Sequence, residues 1–181
     1  CVKGALFITS DKCYDINSED IKYKENDKLG GVDPYSASKA ACEIIIQSHI
    51  KSFFSKKDSA YVASARAGNV IGGGDWSEGR LIPDCVKKWS IKKTAIIRSP
   101  KSTRPWQHVL EPLSGYLLLA EKLGKNKLNK VTQNWNFGPN ISNCKSVKYI
   151  ANYFAKSLKL KIKIAISIKL KNNSFGLNNI I

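Results

Sequence analysis

Short apolar runs alternate along this chain with longer stretches in which apolar residues return every three or four positions. The run at residues 4–9 (GALFIT) is nearly unbroken, the pattern of a strand buried on both faces of a parallel sheet. Residues 15–33 are rich in Asp, Asn, Glu and Gly and read as a long surface loop of the kind that covers sites. From 34 to about 54 the pattern turns helical, and Ala37, Ala40, Ala41, Ile44, Ile45 and Ser48 predict its apolar, inward face. Residues 59–65 read as the next buried strand. It runs into a loop at 66–76 whose glycines permit positive φ and close approach of the backbone to a ligand. A helix at 81–89, a short strand at 94–97, and a loop and strand at 102–109 lead into a helix at 111–123. Leu113, Tyr116, Leu117 and Ala120 predict the buried stripe of that helix. A strand at 135–137 and a helix at 146–158 follow, and residues 159–166 alternate Lys with Leu or Ile as a half-buried strand does. The alternation of strands and helices predicts an α/β domain with a mainly parallel sheet.

Composition and motif content add to that picture. The 181 residues can bury a sizeable core, and no apolar run is long enough to span a membrane. There is no methionine, even at position 1, so the sequence is expected to be an internal or truncated piece. No Gly-x-Gly-x-x-Gly turn joins a strand to a helix, so the first nucleotide-binding half of a doubly wound fold is expected to precede residue 1. Cys1, Cys13, Cys42, Cys85 and Cys144 are scattered without a Cys-x-x-Cys pair, which suggests neither a disulfide framework nor a zinc site and fits a reducing cytoplasm. His49 and His108 stand alone, so no metal is expected, and His108 reads as a packing residue.

The net charge of +16 is unevenly spread: residues 122–181 hold 12 lysines and neither arginine nor an acidic residue. Nucleic-acid surfaces use arginine forks and exposed aromatics. A lysine-rich tail without them reads as a solvated basic face, so no nucleic-acid partner is expected.

The chemistry concentrates in two short segments. Asp33-Pro34 opens the helix at 34, and Tyr35 and Lys39, four positions apart, share one helix face. An ammonium beside a phenol favours phenolate, which suits Tyr35 to take a proton from a hydroxyl. Ser10-Asp11-Lys12 stands at the end of the first strand, where open α/β sheets place their ligands; as plain structure it would be a turn with an Asx-type cap.

These segments, with Arg66-Ala-Gly-Asn69 and Arg104-Pro-Trp-Gln-His108-Val, resemble the extended short-chain dehydrogenase/reductase family. Within it the likeness is greatest to the nucleotide-sugar 4,6-dehydratases that act on CDP-linked glucose. Thr9-Ser10-Asp11-Lys12-Cys13-Tyr14, Leu29-Gly30-Gly31, residues 66–76, Arg80-Leu-Ile-Pro-Asp84 and residues 104–112 carry it, over roughly 4–123. The resemblance implies the C-terminal part of a Rossmann-like doubly wound parallel sheet plus a smaller substrate-binding region. Residues 1–70 would complete the Rossmann-like domain, 71–158 would form the substrate-binding region with returning sheet elements, and 159–181 would be a divergent basic tail. It implies NAD as cofactor, with Tyr35 and Lys39 contacting it, and a nucleotide-sugar substrate. Ser10, Asp11, Lys12, Tyr35 and Lys39 are the implied catalytic residues, and Asn69, Arg80 and Arg104 the substrate-binding ones. Lys12, where related enzymes carry Glu, is either the base at C5 or an electrostatic group. A cytoplasmic homo-oligomer without membrane partners is implied for the full-length enzyme. The rival reading is an inactive remnant of such an enzyme.

Overall fold

The computed structural model describes residues 2–15, 22–56, 59–125 and 133–158, and the backbone of 164–166. In chain order the elements are β1 (Gly4–Ile8), α1 (Pro34–Phe53), β2 (Tyr61–Ala67), β3 (Val70–Ile71), α2 (Leu81–Ser90), β4 (Ala95–Ile97), β5 (Thr103–Pro105), β6 (Gln107–His108), α3 (Leu110–Gly124), β7 (Asn134–Phe137), β8 (Cys144–Ser146), α4 (Val147–Ser157) and β9 (Ile164–Ile166). Short 3-10 turns occupy Asp11–Cys13 and Ile141–Asn143. No helix among the described residues is long and apolar enough to cross a membrane.

The chain forms two compact units. The first comprises Cys1–Gly68 and His108–Gly138, the second Asn69–Gln107 and Pro139–Ile181. The first is built on a parallel sheet in the order β1-β2-β7, with Gly4 opposite Tyr61, Ile8 opposite Ala65, and Ser64 opposite Asn134. Because successive strand residues point to opposite faces, β2 divides its side chains between two layers. Tyr61, Ala63 and Ala65 join Leu6, Trp135 and Phe137 in an apolar cluster closed by Tyr116, Leu119 and Leu123 of α3. Gly115 permits this approach, since a Cβ there would sit 2.3 Å from the Phe137 ring. Ser64 and Arg66, on the opposite face, meet α1.

Both helices of this unit turn different faces inward from those the apolar spacing predicts. In α1 the buried residues are Ser36, Ala40, Glu43 and Ile50, while Ile44 and Ile45 are 58% and 56% exposed and Ala37, Ala41 and Ser48 are also exposed. The sheet face that α1 covers carries Ser64 and Arg66, and the helix answers them with a carboxylate. In α3 the buried stripe is Pro112, Leu119 and Leu123 with Tyr116 half-buried, leaving Leu113, Leu117 and Ala120 outside. There, four apolar residues in succession blur the period.

The second unit has a core of Cys85 and Trp89 from α2, Ala95 and Ile97 from β4, and Ala151 from α4. β4 pairs in parallel with β9, and β5 antiparallel with β8, setting Arg104 opposite Lys145. β9 is the described part of the alternating stretch 159–166; the remainder of that stretch lies outside the described residues.

Candidate active site

At the end of β1 the backbone leaves the sheet through Ser10, which is extended and buried. Its Oγ accepts the Lys12 N–H at 3.2 Å and donates to Asp11 Oδ1 at 3.2 Å, while its C=O accepts the Cys13 N–H. Ser10, rather than the Asx-type cap, therefore closes the turn. Asp11 and Lys12 remain half-exposed. Cys13 is fully buried, and burial pushes its thiol up to about 12, so it stays protonated and inert.

α1 begins beside this turn and packs on it. Asp33 caps the helix, accepting the Ser36 N–H at 2.9 Å and the Ser36 hydroxyl at 2.6 Å, and Pro34 follows at the first helical position. These Ser36 hydrogen bonds hold the Asp33 carboxyl below its ordinary range. Gly31 lets the preceding loop touch the helix start: a Cβ there would lie 2.5 Å from the Ala37 nitrogen. Lys39 Nζ lies 5.8 Å from the centroid of the Tyr35 ring, and Tyr35 is 45% exposed. Ser10, Asp11, Lys12, Tyr35 and Lys39 thus sit on two adjoining pieces of backbone in the first unit.

The remaining predicted residues belong to the second unit. The Asn69 C=O accepts the Gln107 N–H at 3.2 Å. Arg80, at the start of α2, is largely exposed, with NH1 3.6 Å from Asp75 Oδ2. Arg104 is half-buried on β5, and its guanidinium donates to the neighbouring Thr103 C=O at 3.5 Å. His108, in the first unit, is exposed, and its Nδ1 accepts the Leu110 N–H at 3.2 Å at the start of α3 instead of packing in a core.

The sequence reading missed the polar layer behind the turn. Arg66 NH2 donates to Glu43 Oε2 at 2.6 Å, with both side chains fully buried. Glu43 also accepts the Thr9 hydroxyl on Oε1 and the Ser64 hydroxyl on Oε2, the latter at 2.9 Å. Arg66 NH1 donates to the Tyr14 hydroxyl at 2.8 Å and to the Glu25 C=O at 3.0 Å, and Tyr14 donates onward to Asn136 Oδ1 at 2.7 Å. Burial alone would raise the Glu43 carboxyl, but the hydrogen bonds from Arg66, Thr9 and Ser64 outweigh it and hold Glu43 below its ordinary range. The available signal was compositional: one Glu within Ala-Cys-Glu-Ile-Ile-Ile, and one Arg ending an apolar strand.

Residues 2–136, which contain the turn, α1 and all of the first unit's strands but the last residue of β7, match the NAD dependent epimerase/dehydratase family. The chain belongs to this family. Among its relatives is the CDP-glucose 4,6-dehydratase of Salmonella typhimurium, 46% identical over 153 residues that cover 82% of this chain and 42% of the relative. The dTDP-D-glucose 4,6-dehydratase of Dictyostelium discoideum is 29% identical over 132 residues, 67% of this chain and 29% of that protein. The chain thus spans less than half the length of these relatives. A dTDP-glucose 4,6-dehydratase from Bacillus anthracis, solved in complex with NAD, superposes with a TM-score of 0.75 at 21% identity, over 91% of this chain and 50% of that one. The UDP-N-acetylglucosamine 4-epimerase from Methanobrevibacter ruminantium does so with a TM-score of 0.75 at 18% identity, over 94% and 52%. The shared fold agrees with the α/β, Rossmann-like parallel sheet expected from the sequence.

Proposed function

We propose that this chain carries the catalytic and substrate-binding part of an NAD-dependent nucleotide-sugar 4,6-dehydratase. The reaction converts CDP-glucose to CDP-4-keto-6-deoxyglucose, a lyase step in deoxysugar and surface polysaccharide biosynthesis. The observation that carries the reading is the packing of the Ser10-Asp11-Lys12 turn against the helix that presents Tyr35 and Lys39. The 46% identity to a CDP-glucose 4,6-dehydratase supports the choice of nucleotide.

A half-exposed phenol with an ammonium beside its ring fits a nicotinamide cofactor, which Tyr35 and Lys39 would hold. When bound, that cofactor supplies a hydride acceptor for the sugar C4 and a hydride donor for C6. Tyr35 takes the proton of the 4-hydroxyl, with Lys39 favouring its phenolate. Ser10 hydrogen-bonds the same oxygen. The ketone formed at C4 acidifies C5–H, and Lys12, acting as a neutral amine, takes that proton. Asp11, as a carboxylic acid, protonates the departing 6-hydroxyl, which leaves as water. Arg80 and Arg104 suit the diphosphate because a planar guanidinium matches phosphate oxygens, and Asn69 would bond the sugar or diphosphate. The resemblance further supports a cytoplasmic homo-oligomer for the full-length protein.

The test is to incubate the full-length protein with NAD and CDP-glucose and follow the 4-keto-6-deoxy sugar by NMR. Tyr35→Phe should lower turnover by about 100-fold or more while leaving CDP-glucose binding within a few-fold. Near-normal turnover in Tyr35→Phe would sink the mechanism, and binding without turnover in the unaltered protein would mark an inactive remnant.

A further inference from the structure

We propose that the buried Glu43–Arg66 pair is a strut that fixes the Ser10–Cys13 turn against α1 by anchoring the residue at each end of it. The role assigned to the turn rests on the dehydratase reading; the anchoring does not.

The turn is bracketed by Thr9 and Tyr14, and both flanking side chains end on the same ion pair. The Thr9 hydroxyl donates to Glu43 Oε1, and the Tyr14 hydroxyl accepts from Arg66 NH1 at 2.8 Å. Tyr14 is held further by its bond to Asn136 at 2.7 Å, by the Tyr23 ring stacked at 4.9 Å, and by the Arg66 guanidinium 5.1 Å from its ring centroid. Behind the turn, the Gly30 N–H donates to the Cys13 C=O at 2.9 Å.

Glu43 stands four residues beyond Lys39 and eight beyond Tyr35 on α1. A helix is rigid over two turns, so fixing Glu43 relative to Thr9 and Tyr14 fixes the turn relative to Tyr35 and Lys39. An apolar contact would not do this as well, since packing is non-directional and lets layers slide, whereas charge-assisted hydrogen bonds hold short, defined distances. A buried ion pair contributes little net stability against an apolar replacement, and conformational definition is a recognised use of one. Thr9, Tyr14, Glu43 and Arg66 are therefore positioning residues: they act through Ser10, Asp11 and Lys12.

The experiment cuts each anchor while leaving the pair intact, in the full-length protein, with Thr9→Val and Tyr14→Phe; Thr9→Ser retains the hydroxyl as a control. Two readouts are taken. Amide hydrogen exchange of residues 10–15, measured without cofactor or substrate, should quicken about tenfold in Thr9→Val and Tyr14→Phe, as loss of one charge-assisted hydrogen bond implies. Exchange in β2 should stay as it was, and Thr9→Ser should restore slow exchange in the turn. Turnover of CDP-glucose should fall about tenfold with KM within twofold, because misplacing the turn harms the reacting geometry more than binding. Unchanged exchange in both anchor variants would overturn the strut. Faster exchange with unchanged turnover would overturn its positioning role. If the unaltered protein turns over no CDP-glucose, the dehydratase reading fails by itself, and the exchange result still decides whether the strut exists.

Discussion

On one side of β2, Tyr61, Ala63 and Ala65 meet Leu119 and Leu123 of α3 through carbon alone; on the other, Ser64 and Arg66 meet Glu43 of α1 through hydrogen bonds. The two layers cover the same seven-residue strand and demand different things of it. The apolar layer needs volume and exclusion of water, and small changes of angle cost it little. The polar layer needs each donor opposite its acceptor, since an unpaired buried charge is far more costly than a loose methyl group. The layer that is harder to satisfy lies against the helix and turn that bear Tyr35, Lys39 and Ser10-Asp11-Lys12. Definition is greatest where chemistry is proposed.

Removing one charge of the buried pair should do the greatest harm. Arg66→Met, leaving the Glu43 carboxylate buried without its partner, should cost about 3–5 kcal/mol in denaturant unfolding. Replacing both, with Arg66→Met and Glu43→Leu, should recover most of that loss. A double variant as unstable as the single one would show that the cost is not an uncompensated charge.

The apolar layer should answer differently. Leu119→Ala is expected to cost about 3 kcal/mol through lost burial and the cavity left behind. A substitution on the polar face should not restore it, and additive losses when it is combined with Tyr14→Phe would confirm that the layers are independent.

The smallest effect separates the layers by pH. Glu43 titrates below the ordinary carboxylate value of 4.5, so its contribution is present above that pH and is lost as pH falls through the depressed value. Stability measured from neutral pH downward should therefore drop less steeply below about pH 4.5 in Glu43→Gln than in the unaltered protein. Leu119→Ala should shift the whole curve without changing its slope, because it removes no titrating group.

The positions of the elements were legible in the sequence, but their orientation was less so. The strands at Gly4–Ile8 and Tyr61–Ala67 and the helix at Pro34–Phe53 follow from local patterns and caps such as Asp33-Pro34. The inward face of α1 did not, because reading periodicity assumes an apolar partner and here the partner face carries Ser64 and Arg66. The candidate site divides in the same way. Tyr35 with Lys39, and Ser10-Asp11-Lys12, are each local enough to be seen in a short window. The Arg66–Glu43, Arg66–Tyr14 and Tyr14–Asn136 contacts join residues 23, 52 and 122 positions apart, and only the folded chain brings them together.

The alternation of β2 carries a consequence for how such a chain can change length. Inserting or deleting one residue within this strand would exchange its two sets of side chains, driving Arg66 toward Leu119 and Ala65 toward Glu43. Loops at either end can grow or shrink while the strand keeps its faces. In the descent of this family, β2 should behave as an indivisible word: open to substitution letter by letter, and closed to gaps.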